Sequence, residues 1–153
     1  MPDNESGWRA SREGTVLNNT AFGRTVDILQ RNMAVSTLRR QIIANNLANV
    51  ETPNFKRSAL NFEAQLARAL ASEKQPESIG VLTHRNHIPF RRHIDYRSVG
   101  PRVVLDYLTT AKNNGNNVDV ERELLHATEN QMMYELMSSA VSHQFRQVNT
   151  VLR

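Results

Sequence analysis

With 153 residues, of which 39% are hydrophobic and 22% charged, the chain is sized for one modest domain and not for a large enzyme. Nineteen Lys and Arg against fifteen Asp and Glu leave a net charge of +4, and residues 74–116, with seven basic and three acidic side chains, hold all of that excess. There is no cysteine, which excludes disulfides, thiolate metal sites and cysteine nucleophiles and leaves stability to packing or assembly.

Residues 1–19 mix Gly, Ser, Asn and charges without an apolar period, so a flexible tail is expected. Acidic residues, Gly7 and Trp8 stand where a secretory leader needs an unbroken apolar run, and no such leader is expected. Charged or strongly polar residues interrupt every later apolar run before it could cross a bilayer.

Residues 20–50 read as a long helix with two apolar lines, one through Phe22, Val26, Leu29 and Met33, the other through Ile28, Val35, Leu38 and Ile42. Two lines imply more than one packing partner. Pro53 disfavours helix at Thr52 and presets a turn, and Asn54 tolerates the left-handed backbone such a turn needs. Within 51–73 that turn leads to a short amphipathic helix through Phe62, Leu66, Ala69 and Leu70, with Asn61 as its expected cap.

Residues 74–117 contain Pro76, Gly80, Pro89, Gly100 and Pro101 and read as a basic loop with one or two weak strands, at 79–82 and 103–108. Residues 118–153 form the clearest periodic segment. Val120, Leu124, Ala127, Gln131, Tyr134, Ser138, Val141, Phe145, Val148 and Leu152 alternate in steps of four and three, the seam of a coiled coil, with Asn117 as the expected cap. Asp119, Glu121 and Glu123 lie where the helix dipole favours acids. A helix of this length spans roughly 54 Å, more than a lone domain of this size needs. The fold class expected is mainly α: long terminal helices in an antiparallel coiled-coil hairpin around a loop-rich middle segment.

No Walker loop, dinucleotide-binding glycine turn, nucleophile elbow or paired-histidine zinc motif occurs, so neither catalysis nor a cofactor is expected. His84, His87 and His93 sit among Arg85, Arg91 and Arg92, whose charge opposes a bound cation, and no metal is expected there. The same arginines, with Arg97 and Arg102, interleave with Phe90 and Tyr96, which leaves a basic nucleic-acid-binding module as the alternative class. A solvated face that meets an acidic protein neighbour accounts for them better, because +4 is modest for a nucleic-acid binder.

Ala44-Asn45-Asn46-Leu47-Ala48-Asn49-Val50-Glu51-Thr52-Pro53-Asn54-Phe55-Lys56 resembles the N-terminal signature of bacterial flagellar rod, hook and hook-associated proteins. Gly commonly fills the place of Asn54 in that family, and Asn is the next best residue for the backbone concerned. The run Gly115-Asn116-Asn117-Val118-Asp119-Val120-Glu121-Arg122-Glu123, followed by Asn130 and Tyr134, is similar to the C-terminal pattern of the family's proximal-rod branch.

The resemblance implies a non-enzymatic structural subunit of the proximal rod of the flagellar basal body, stacked into a helical drive shaft. It implies export by the flagellar type III apparatus without signal cleavage, and a place in the periplasmic part of a two-membrane cell. Its partners would be copies of itself, other rod proteins and basal-body adaptor and export-gate proteins, with no nucleic acid and no transmembrane segment. The residues expected to matter are the turn set Asn45, Asn46, Leu47, Asn49, Thr52, Pro53, Asn54 and Phe55, the C-terminal set Gly115, Asn116, Val118, Asp119, Glu123, Asn130 and Tyr134, and an assembly seam through Val120, Leu124, Ala127, Tyr134, Val141, Phe145, Val148 and Leu152.

Overall fold

A computed structural model describes residues 20–74, 83–84, 86–87 and 93–152. The tail at 1–19, the apolar group at 79–82 and Arg85, Phe90, Arg91 and Arg92 lie outside the described residues. The chain is mostly helical: α1 (Ala21–Ala48), β1 (Ser58–Asn61), α2 (Glu63–Glu73), a 3-10 turn (Tyr96–Ser98), β2 (Arg102–Leu105) and α3 (Val120–Val151) follow in order. These fall into two compact units, Met1–Gln41 with Val120–Arg153, and Ile42–Asp119.

The first unit is a helix pair. Thr20 caps α1, its Oγ1 accepting from Gly23 N–H at 3.1 Å, the bond that satisfies one of the donors left free at a helix start. Phe22 of α1 meets Phe145 of α3 edge to face, centroids 5.7 Å apart, and Ser36 meets Asn130. Partner numbers fall along α3 as they rise along α1, so the helices run antiparallel. Val35 and Ser36 are buried on α1, and on α3 the buried residues are Glu123, Asn130 and Met137, each seven after the last. A seven-residue step keeps one narrow stripe facing the partner helix.

In the second unit β1 pairs antiparallel with β2, Ser58 opposite Leu105 and Asn61 opposite Arg102. Its buried apolar residues are Ile43, Phe62, Leu66, Ala69, Tyr96 and Val118, and the 3-10 turn packs on α2. Two expected caps are corrected. Asn61 is committed to the strand register, and α2 begins after the buried Phe62, whose carbonyl accepts from Gln65 and Leu66 N–H. Asn117 serves other main-chain groups, described below, and does not cap α3. Strand β1 has no sequence signal of its own, since only Ala59 and Leu60 in it are apolar; β2 overlaps the apolar group at 103–108 and begins one residue before it. Beyond α2 the chain leaves and returns at one point: Ser72 Oγ donates to Ala69 O (2.7 Å) and accepts from Ile94 N–H (3.0 Å).

Candidate assembly site

The two motif segments meet in the second unit through asparagine side chains. Residues just past the end of α1 leave carbonyls that no further helical turn can pair, and Asn116 gathers them. Its Nδ2 donates to Asn49 O (2.9 Å), Val50 O (3.0 Å) and Thr52 O (2.8 Å), two hydrogens shared over three acceptors. Its Oδ1 accepts from Val118 N–H at 2.7 Å, and its own carbonyl accepts from Ala111 and Lys112 N–H. Lys112 Nζ adds a bond to Val50 O (3.1 Å) and an ion pair with Glu51 (2.6 Å).

Asn46 repeats the device on strand β1. Its Nδ2 donates to Ser58 O and its Oδ1 accepts from Ser58 N–H, both at 2.9 Å, so one side-chain amide substitutes for a neighbouring strand. Asn117 Oδ1 accepts from Arg57 N–H (2.6 Å), and its Nδ2 donates to Asp106 O (2.7 Å) and Thr109 Oγ1 (3.2 Å). All three asparagines are buried, and every bond named is the kind that makes a buried amide tolerable.

The turn itself is left-handed at Asn54, with φ 59°, as its place after Pro53 led one to expect. Asn54 N–H donates to Asn114 O (3.0 Å). Gly115 also has positive φ, 79°, and a Cβ there would stand 2.5 Å from Asn54 Oδ1. Two left-handed residues therefore face each other, and only a residue without a Cβ fits opposite Asn54. Lys56 Nζ closes the group with a 2.8 Å bond to Gly115 O. Of the other turn residues, Asn45 O accepts from both Asn49 N–H and Asn49 Nδ2, Thr52 N–H donates to Asn49 O, Leu47 and Phe55 are half-buried and Pro53 is exposed.

Asp106 ends β2 in a side-chain turn, Oδ2 accepting from Thr109 Oγ1 (2.8 Å) and Oδ1 from Leu108 and Thr109 N–H. The Thr109 hydroxyl first, then those main-chain donors and the Arg57 charge, hold its carboxyl below the ordinary carboxylate range. The histidines form no such centre: the rings of His84 and His87 are 5.7 Å apart and exposed, as is His93, and among the described residues no group of metal-ligating side chains gathers. Arg97 lies 5.6 Å from the Tyr96 ring centroid and donates to its hydroxyl.

The C-terminal set divides. Gly115, Asn116 and Val118 belong to the asparagine cluster, with Asp119 exposed beside them, while Glu123, Asn130 and Tyr134 lie on α3 in the helix pair. There Ser36 Oγ donates to Asn130 Oδ1 (2.9 Å) and Asn130 Nδ2 to Ser36 O (3.0 Å). The seam residues follow a line adjacent to the buried stripe. Ala127, Val141 and Val148 are half-buried, whereas Val120, Leu124 (51%), Tyr134, Phe145 (50%) and Leu152 (79%) remain exposed. The line ends in an apolar groove of about 410 Å³ lined by Phe22, Thr25, Val148, Val151 and Leu152.

Long terminal helices and two motif segments tied by buried amides carry the pair of motifs that resemble those of the flagellar axial class. No protein-family model matches the chain. Curated relatives do: the chain is 39% identical over 132 residues to the flagellar basal body rod protein FlgB of Borreliella burgdorferi, covering 86% of this chain and 98% of that protein. It is 27% identical over 131 residues to the protein of that name from Bacillus subtilis (86% and 95% covered) and 26% identical over 118 residues to that from Escherichia coli (75% and 83%). The chain belongs to the FlgB family of flagellar basal body rod proteins.

Proposed function

We propose that this chain is a structural subunit of the proximal rod, stacking with copies of itself and other rod proteins into the helical drive shaft that transmits torque. The observation that carries this reading is the division of labour on α3. One stripe, through Glu123, Asn130 and Met137, is buried within the chain, and the adjacent apolar line through Leu124, Tyr134, Phe145 and Leu152 stays largely exposed. Exposed apolar surface of this extent marks an interaction face, and open helical stacking needs heterologous faces of this kind.

The asparagine cluster then sets the direction in which the chain leaves the turn at Asn54 within the second unit. Repeated in every subunit, that direction decides whether neighbours fit. Contact with basal-body adaptor and export-gate proteins, a periplasmic position and export without signal cleavage belong to the same proposal. The 20–50 and 118–153 segments would supply the rod helices, and 74–117 the outward or intersubunit part. The test is to delete the gene, purify basal bodies and quantify this chain by mass spectrometry in the complemented strain. Its enrichment in the rod fraction, with motility lost on deletion, is expected; motile deletion cells, or basal bodies free of the chain, would overturn the proposal.

A further inference from the structure

Between the two helices of the first unit opens a small polar pocket of about 150 Å³, lined by Ser36, Thr37, Arg40, Asn130, Gln131 and Tyr134. Residues 36 and 40 share one face of α1, and 130, 131 and 134 one face of α3, because three- and four-residue steps stack along a helix. The buried pair Ser36 and Asn130 consumes the Ser36 hydroxyl and one Asn130 N–H and forms one side of the pocket. The remaining side chains are exposed. Thr37 Oγ1 is bound to Met33 O, and Gln131 Nε2 to Glu135 at 2.7 Å. Arg40 and Tyr134 make no hydrogen bond or ion pair to any described residue.

Gln131 and Tyr134 lie on the spare apolar line, and Gln131 interrupts it at the pocket. If a neighbour covers that line, as the proposed function requires, Arg40 at its edge loses water. A guanidinium buried without a counterion is strongly destabilising, so a neighbour with only apolar groups here would be rejected.

We infer that this pocket is a socket for a carboxylate side chain of the adjoining rod subunit, received by the Arg40 guanidinium with the Tyr134 hydroxyl as a second donor. The planar fork of Arg suits a carboxylate better than a Lys point charge. The socket gives a slippery apolar face a fixed register, since an acid placed one turn toward the start of α3 would meet Ala127, and two turns Leu124, instead.

The inference rests on the proposed rod function, and the experiment separates the two. Arg40→Gln, Arg40→Glu and Arg40→Lys are introduced, with Glu135→Gln as control, and the chain in purified basal bodies is quantified beside the thermal melt of each purified variant. The melts should be unchanged, because Arg40 bonds to no described residue of its own chain. Incorporation of the Gln and Glu variants should fall by about tenfold or more, with the Lys variant between these and the parent chain. Motile suppressors of Arg40→Glu should carry an acidic residue exchanged for a basic or neutral one on a contacting subunit. Normal incorporation of Arg40→Gln would overturn the socket while leaving the rod function standing. So would loss in the Glu135→Gln control equal to that of Arg40→Gln, which would show that incorporation does not depend on the Arg40 charge in particular. Absence of the parent chain from basal bodies would overturn both.

Discussion

Replacing Asn116 tests whether side-chain amides, and not apolar packing, hold the two motif segments together. Asn116→Ala removes three donations to carbonyls and the acceptor of Val118 N–H. The carbonyls are not stranded: Asn49 O keeps Thr52 N–H, Val50 O keeps Lys112 Nζ and Thr52 O keeps Phe55 N–H. Val118 N–H, in a residue without exposed surface, loses the 2.7 Å bond that Asn116 supplied. At about 1 kcal/mol for each amide hydrogen lost and about 1–3 kcal/mol for a stranded buried donor, the sum is about 3–5 kcal/mol.

Asn116→Asp keeps the volume and the Val118 bond but points an acceptor-only carboxylate at three carbonyl oxygens. It should cost at least as much as Ala at neutral pH. Burial among carbonyls raises the folded-state pKa of such a carboxyl, so its remaining stability is present below the unfolded value and is lost as pH rises through the folded one. The Asp variant should therefore recover on acidification while the Ala variant does not. The assay is urea unfolding followed by circular dichroism at neutral and mildly acidic pH. An Asp variant as stable as the parent at neutral pH, or an Ala variant within about 0.5 kcal/mol of it, a change typical of featureless surface sites, would refute the role assigned to the amide.

Three further outcomes follow from the geometry. Asn54→Gly should be neutral or slightly stabilising and Asn54→Val should cost about 1–2 kcal/mol; Gly115→Ala should be worse in the parent than in Asn54→Gly, which removes the oxygen 2.5 Å from the new Cβ, and a double-mutant unfolding cycle reads the coupling. Phe145→Ala should cost about 1 kcal/mol in the isolated chain, from the edge-to-face contact with Phe22, yet sharply reduce incorporation into basal bodies; wild-type incorporation would remove Phe145 from the assembly face. The lowered Asp106 carboxyl contributes stability above its unfolded value that is lost as pH falls through the folded one, so Asp106→Asn should flatten the acid limb of the unfolding midpoint against pH, and an unchanged limb would dismiss that carboxylate as its source.

The helices were legible because they depend on local signals. The expected 20–50 segment contains α1, Ala21–Ala48, and 118–153 contains α3, Val120–Val151; the 3.6-residue period and Pro53 sufficed. Which face of α3 would be buried was not legible. Apolar counting selects the line through Leu124, Tyr134 and Phe145, but the helix pair buries the polar Glu123 and Asn130, and the partner of Asn130, Ser36, lies far along the chain. The asparagines were visible as motif members, and their partners were not, because an amide that replaces a strand or gathers carbonyls leaves no periodic trace. Strand β1 exists by virtue of Asn46 on one side and β2 on the other, and neither can be inferred from Ser58–Asn61 alone.

The hydrogen bond from Ile94 to Ser72 makes the protein's middle open to elaboration. Ser72 and Ile94 stand one hydrogen bond apart, so an insertion between them need not change the distance that its ends bridge. Loop-closure entropy grows only with the logarithm of length, so doubling that stretch costs about 0.6 kcal/mol. A fluorescent tag, an affinity peptide or an entire folded guest inserted between Ser72 and Ile94 would thus be carried with Ser72 still bound to Ile94. The helices and the asparagine cluster would be left as they are.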